Sequence, residues 1–336
     1  MKIFVFIIIN IFYIVMISVI GLGFVGGSMK KSFELKGEHV KGYDKFKENT
    51  DSFEDCLKSD IAFLALPTIF DENKMTYDKS AIHEVCGDLE KHQYKGLVVI
   101  KSTVEPTTTE GLAKKYSCLK FIHNPEFLTA ATAFEDFHNQ KHIVLGKSQN
   151  VKDEEVNVLE NFYRKNYPDA EVSRCTCTES ESMKSFVNCF YSVKIQFFNE
   201  LYLLCQKMGC DYNSVKQLML KNGWINPMHT DVPGVDGMLS YGGYCFPKDT
   251  NALLNHMKRE NVTCKVLEGT VLERNEMRQD NVNVKLKNET DFVAGFDSET
   301  HVESESEDNM KRYIKPALIG IGTGLIGTLF LLHRRK

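Results

Sequence analysis

The run MISVIGLGFVG, Met16 to Gly26, decides the fold. Five residues, apolar but for Ser18, read as a buried strand, and three glycines in the order G-x-G-x-x-G follow at once. Val25 to Leu35 then continues as a helical run. In that setting the first glycine serves a tight turn, the second admits a pyrophosphate to the backbone, and the third lets helix pack on strand. A second strand, His39 to Tyr43, ends in Asp44, 18 residues after Gly26. A carboxylate there is placed to accept both ribose hydroxyls of a dinucleotide and to repel a 2′-phosphate, which favours NAD over NADP. The glycine pattern alone would carry little, because Gly322, Gly324 and Gly327 repeat it in an apolar C-terminal segment unsuited to a dinucleotide.

Outward from this turn, strand and helix alternate. Ile61 to Leu66 and Leu97 to Ile100 are short apolar runs suited to buried parallel strands, and Leu119 to Ile122 and Ile143 to Leu145 read the same way. Charged helical stretches such as Ser80 to His92 lie between them. The pattern predicts an α/β domain, a doubly wound parallel sheet of Rossmann type, over residues 16–150, followed by a helical domain over 151–285. Glu179 to Met208 runs without Gly or Pro and, as one helix, would be about 45 Å long. Phe186, Phe190, Val193, Phe197, Leu201 and Leu204 form an apolar stripe on it, for the core or for a homodimer. Lys184 and Asn188 are four apart and share a face, where they could donate to an alkoxide or carbonyl oxygen or simply meet solvent.

The other informative stretch is SYGGYCFPKD, Ser240 to Asp249. Pro247 suits the first position of a helix, which places Cys245 in the loop just before a helix N-terminus. There the macrodipole favours a thiolate, the nucleophilic form. Gly242 and Gly243 let the backbone approach a ligand or take positive φ, and Asp249 is within one turn of the sulfur. An inert, buried thiol is the competing reading.

The chain has 336 residues, 43% hydrophobic and 26% charged, which suits roughly two domains. A net charge of −4 gives no electrostatic reason to expect nucleic acid. Ten scattered cysteines, with only Cys175 and Cys177 as near neighbours, fit reduced thiols, and no metal site is expected. At the N-terminus Ile3 to Val15 is too short to span a bilayer, so 1–15 is read as a dispensable extension and Met16 as a possible true start. Asn288 to Met310 is acidic with no Lys or Arg and reads as a flexible linker within 286–312. Ile314 to Leu332 is 19 residues, apolar but for Lys315, Thr323 and Thr328, and is followed by His-Arg-Arg-Lys336. Residues 313–336 therefore read as a C-terminal transmembrane anchor. Basic residues flank both of its ends, so charge does not set its orientation; an NAD enzyme with reduced thiols belongs on the cytosolic side.

Seven blocks occur in order from Met16 to about Asp280: GLGFVG at Gly21, GYD ending at Asp44, LPT at Leu66, IKST at Ile100, NPEFL at Asn124, ESMKSFVN with FFNEL from Glu181, and YGGYCFPKDTNAL from Tyr241. In these the chain resembles the UDP-glucose/GDP-mannose dehydrogenase family. The resemblance implies Cys245 as nucleophile, Lys184 and Asn188 at the C6 oxygen of a nucleotide sugar, and Asp249 working with that lysine and a water. It implies Glu126 as acid/base, with Thr103 orienting water beside it. Gly21, Gly23, Phe24, Val25, Gly26, Asp44, Pro67, Thr68 and Lys248 fall on cofactor positions; Glu126, Phe127, Leu128, Lys184, Asn188 and Gly242 fall on substrate positions. The implied reaction is a double NAD-dependent oxidation at C6 through a thiohemiacetal and a thioester, with UDP-glucose and its uronate as the expected pair. Two departures from the resemblance stand out: Ala130 replaces a second, cofactor-facing glutamate, and the stretch after about Asp280 is expected to be linker and tail, not a third, Rossmann-like domain. A non-catalytic nucleotide-sugar-binding homologue and a β-hydroxyacid dehydrogenase are the alternatives; the latter has no need of the cysteine.

Overall fold

The computed structural model describes residues 15–278 and 280. Among the described residues nine strands occur in chain order: β1 (Ile17–Ile20), β2 (Val40–Tyr43), β3 (Ile61–Leu64), β4 (Phe70–Asp71), β5 (Thr76–Tyr77), β6 (Leu97–Ile100), β7 (Lys120–His123), β8 (His142–Lys147) and β9 (Glu171–Thr176). The helices are α1 (Phe24–Leu35), α2 (Phe53–Cys56), α3 (Ser80–Lys91), α4 (Thr108–Lys115), α5 (Ala133–His138), α6 (Asp153–Asn166), α7 (Cys177–Met208), α8 (Tyr212–Leu220), α9 (Phe246–Arg259) and α10 (Lys265–Met277).

Seven strands make one sheet in the order β2-β1-β3-β6-β7-β8-β9, and β4 and β5 form a separate antiparallel hairpin. From β2 to β7 the pairing is parallel, with Ile17 opposite both Val40 and Ile61. The strands are continuously apolar because both faces are covered. Ile61 and Phe63 face one core with Phe33 and Phe162, while Ala62 and Leu64 face another with Cys86 and Leu112. Chain order reverses at β1, so the crevice beyond the carboxyl ends of β1 and β3 is the switch point where such sheets bind ligands.

Two sheet features differ from the sequence reading. β8 runs antiparallel to β7; the link between them carries one 3-10 turn, Ala130–Thr132, and a short helix, α5, whose Phe137 packs on Phe33 of α1. The layer also does not end at Gly146 or at the expected boundary of 150. α6 packs Val156, Leu159 and Phe162 into the core, and β9 adds a parallel edge strand to β8.

α7 begins at a capping box, in which Thr176 accepts from the Glu179 N–H at 3.2 Å and the Glu179 carboxylate accepts from the Thr176 N–H at 2.8 Å. It ends at Gly209 with φ 70°. Its faces are reversed from the usual amphipathic plan. Ser180, Glu181, Lys184, Asn188, Gln196 and Asn199 point inward, whereas Phe186, Phe190, Phe197 and Leu204 are more than half exposed. Val193 and Leu201 are the stripe residues that pack inward, onto the α9–α10 and α8 clusters.

Among the described residues no helix is long and apolar enough to cross a membrane. The expected N-terminal extension before Val15, the acidic linker and the C-terminal segment Ile314 to Leu332 lie outside the described residues.

Candidate active site

The glycine turn is built sterically. A Cβ on Gly21, which has φ 89°, would lie 2.5 Å from the Ala65 carbonyl oxygen, and one on Gly26 would lie 1.9 Å from the Gly21 oxygen. Gly23 has open space around it. It is the N-cap of α1 and offers no side-chain hydrogen bond to the helix, so the first turn of N–H groups, with Phe24 and Val25, faces that opening. Asp44 closes the other side, its carboxylate accepting from the Leu22 N–H at 2.7 Å and the Phe46 N–H at 3.0 Å. A dinucleotide fits this set: clearance at Gly23, a helix N-terminus for the pyrophosphate, and an anchored carboxylate for the ribose.

Cys245 is the N-cap of α9, with Pro247 at the second helical position rather than the first. The helix end does not yield a ready thiolate. Burial pushes the half-buried thiol up to about 11, with Lys248 and Lys184 opposing and Asp249 and Glu126 adding to the rise. Desolvation, a tertiary property, sets the direction of the shift.

Asp249, fully buried one turn further on, gathers three donors. Asn188 Nδ2 reaches Oδ2 at 2.6 Å, while Lys248 Nζ at 2.6 Å and the Tyr77 hydroxyl at 2.5 Å share Oδ1. Burial, the largest single effect, lowers the Lys248 pKa, but Asp249 with Cys245 and Tyr244 together outweigh it and the net shift is upward. Lys184 lies instead beside Glu126, 3.4 Å from Oε1, and over the Phe127 ring at 5.4 Å. The Lys184–Asp249 partnership implied by resemblance is thus divided into two neighbouring pairs.

Glu126 is held by its own loop, with Oε2 accepting the Leu128 N–H at 2.7 Å. Behind it Lys101, 2% exposed, donates to Asn124 Oδ1 at 3.1 Å and to the Pro125 carbonyl at 3.3 Å. Burial lowers the Lys101 pKa to about 7. His123 next to it is pushed down to about 3 by burial and by the Lys101 charge, so it stays neutral.

The remaining expected positions divide. Thr68 and Thr103 are buried and tied together, the Thr68 hydroxyl donating to the Thr103 carbonyl at 2.8 Å, while Pro67 is exposed beside them. Phe127 is exposed and stacked on His142, whereas the Leu128 side chain packs into the sheet core. Gly242 is small because the Arg278 guanidinium fills the place of its side chain, 2.4 Å from a built Cβ. Gly243 is the one of the pair with positive φ, 79°. Tyr77 and Lys101 were not expected. Lys101 lay inside the quoted IKST block, and its burial was the missing signal.

Two models of one family match the chain: the NAD binding domain of the UDP-glucose/GDP-mannose dehydrogenase family at residues 43–166 and its central domain at 178–277. The chain is similar to the UDP-glucose 6-dehydrogenase of Campylobacter jejuni, 27% identical over 241 residues, which cover 71% of this chain and 58% of that one. It is also similar to that of Rickettsia prowazekii, 31% identical over 216 residues, covering 62% and 48%. It therefore spans about half the length of the curated relatives it matches. A UDP-glucose dehydrogenase structure from Pyrobaculum islandicum aligns with a TM-score of 0.69 at 26% identity, covering 79% of this chain and 68% of that one. Two domain models of a single family, in the right order and matching the parallel sheet and the helical part, lead to one conclusion: the chain belongs to the UDP-glucose/GDP-mannose dehydrogenase family.

Proposed function

We propose that this chain is a nucleotide-sugar 6-dehydrogenase that converts UDP-glucose to UDP-glucuronate in two NAD-dependent oxidations. The observation that carries the reading is the gathering of Cys245, Asp249, Asn188, Lys184 and Glu126 at the N-terminus of α9. NAD, when bound at the Gly21–Gly26 turn and Asp44, supplies the hydride acceptor. In the first oxidation C6 loses a hydride as its hydroxyl proton passes to a carboxylate of the site, leaving an aldehyde, while Lys184 and Asn188 donate to the C6 oxygen. Cys245 Sγ then bonds to the aldehyde carbon. Because burial keeps the thiol protonated at neutral pH, its proton leaves as the S–C bond forms, and the carbonyl oxygen becomes a hydroxyl. The second oxidation removes a hydride from that carbon and a proton from that hydroxyl, leaving a thioester. Water adds to it, the C–S bond breaks, and the thiol is restored as the carboxylate departs. Glu126, held by Leu128 and Lys184, is the base for that water.

The reading extends to a homodimer through the outer face of α7, supported by exposed Phe186, Phe190, Phe197 and Leu204. It also includes a C-terminal membrane anchor at Ile314 to Leu332 with the catalytic part in the cytosol, supported by the apolar length of that segment. Incubating the full chain with NAD and a panel of nucleotide sugars and 3-hydroxy acids tests the activity. NADH formation with UDP-glucose is expected; turnover of the hydroxy acids alone would replace the reading with a β-hydroxyacid dehydrogenase.

A further inference from the structure

The β4–β5 hairpin, separate from the seven-stranded sheet, begins two residues after Thr68. We infer that Tyr77, its last residue, is a positioning residue for Asp249, through which the cofactor half of the molecule orients the carboxylate next to Cys245; this rests on the dehydrogenase reading above. The Tyr77 ring is 2% exposed and packs with Phe70 and with Ala252 of α9. Its hydroxyl donates to Asp249 Oδ1 at 2.5 Å, and the Lys248 ammonium bonded to the same oxygen lies over the ring, 4.9 Å from its centre. Lys248 and Asn188 reach Asp249 from the helical half; Tyr77 reaches it from the sheet half.

The hairpin also holds the far end of α9. Arg259 donates to the Met75 carbonyl at 2.8 Å and to buried Glu105 at 3.2 Å, and Glu105 in turn accepts from Lys79 at 2.5 Å and from Thr76. The helix that carries Cys245 at its N-terminus is therefore gripped at both ends by one hairpin. A carboxylate oxygen whose remaining donor sits on a long flexible stem is less firmly oriented than one also held by a buried ring hydroxyl. Without the Tyr77 hydroxyl, Oδ1 keeps Lys248, a flexible side chain that also attracts the Cys245 sulfur. The negative charge of Asp249 would then be less offset, and it would repel a forming thiolate more strongly.

Tyr77→Phe keeps the ring packing and removes the donor. With NAD and UDP-glucose we expect kcat to fall about tenfold, with either KM within about threefold of wild type, because the lost interaction orients the reacting groups rather than binding ligand. In an Asp249→Asn background the same change should add nothing further, since a residue acting through Asp249 has lost its target. The cycle is read a second time without substrate, as the rate at which iodoacetamide alkylates Cys245: about threefold or more slower in Tyr77→Phe, and unchanged by it in Asp249→Asn. Wild-type kcat and alkylation in Tyr77→Phe, or equal losses in both backgrounds, overturn the assignment. If the wild-type chain oxidises no nucleotide sugar, the dehydrogenase reading fails, and the alkylation cycle still decides whether Tyr77 acts through Asp249.

Discussion

Replacing Glu181 by Gln should make the protein more stable at neutral pH, and by an amount that grows with pH. Glu181 lies on the inward face of α7, fully buried. Its Oε1 accepts the Thr109 N–H at 2.7 Å, and its Oε2 has no hydrogen-bond partner among the described residues. Burial raises its pKa from the ordinary 4.5 to about 7, the Thr109 bonds only partly offsetting it. The folded state thus holds a proton that the unfolded chain releases near 4.5. Stability falls as pH climbs from there to about 7 and the penalty is constant above it. At about 1.4 kcal/mol per pH unit, that interval amounts to about 3 kcal/mol at pH 8. Gln carries no charge to desolvate and keeps the acceptor for Thr109. Paired thermal melts of wild type and Glu181→Gln should be close near pH 4.5 and diverge by roughly 5–10 °C at pH 8. Other groups contribute in the same window, such as His123, which stays neutral when folded but titrates in the unfolded chain, and they cancel in the difference between the two proteins. A difference that stays flat with pH, or a variant that loses stability as pH rises, would refute the reasoning.

Gly26→Ala should lower stability by about 3 kcal/mol or more, because its methyl meets the Gly21 carbonyl oxygen at 1.9 Å. Gly23→Ala, in open space, should melt like wild type yet bind NAD at least about tenfold more weakly; calorimetry separates the two effects. Asp44→Ala frees the Leu22 and Phe46 N–H groups and should weaken NAD while narrowing its preference over NADP, which titration of both cofactors checks. Alkylation of Cys245, followed on its own peptide by mass spectrometry, should keep accelerating about tenfold per unit from pH 7 to 9; a plateau below pH 8 would contradict a thiol pushed to about 11.

What the sequence made legible was whatever a short stretch determines by itself. The strand, glycine turn and Asp44 lie within 29 residues, and each glycine has the steric reason its spacing implied. Lys184 and Asn188 share a face because the helix period demands it, and Cys245 precedes a helix because Pro247 announces one. Features set by distant packing were not visible. The direction of β8 depends on how α5 seats on α1. The inward polar face of α7 is a consequence of the site it supports, so Phe186, Phe190, Phe197 and Leu204 of its apolar stripe point away from the core while Val193 and Leu201 pack inward. Tyr77 comes from two-residue strands, too short for any period to show, and meets Asp249 across 172 residues of chain. The raised thiol of Cys245 follows from desolvation, which no local pattern reports.

The central claim is that one carbon is oxidised twice, the aldehyde formed by the first oxidation being held on Cys245 for the second, and counting NADH against product tests it most directly. The full chain, supplied with limiting UDP-glucose and excess NAD, should form two NADH for each UDP-glucuronate, with no free aldehyde captured by an added semicarbazide trap. Cys245→Ser, with the Gly21–Gly26 turn and Asp44 intact, should bind NAD as wild type does and form no free uronate. One NADH per sugar with trapped aldehyde, or uronate formed at the wild-type rate by Cys245→Ser, would contradict the account.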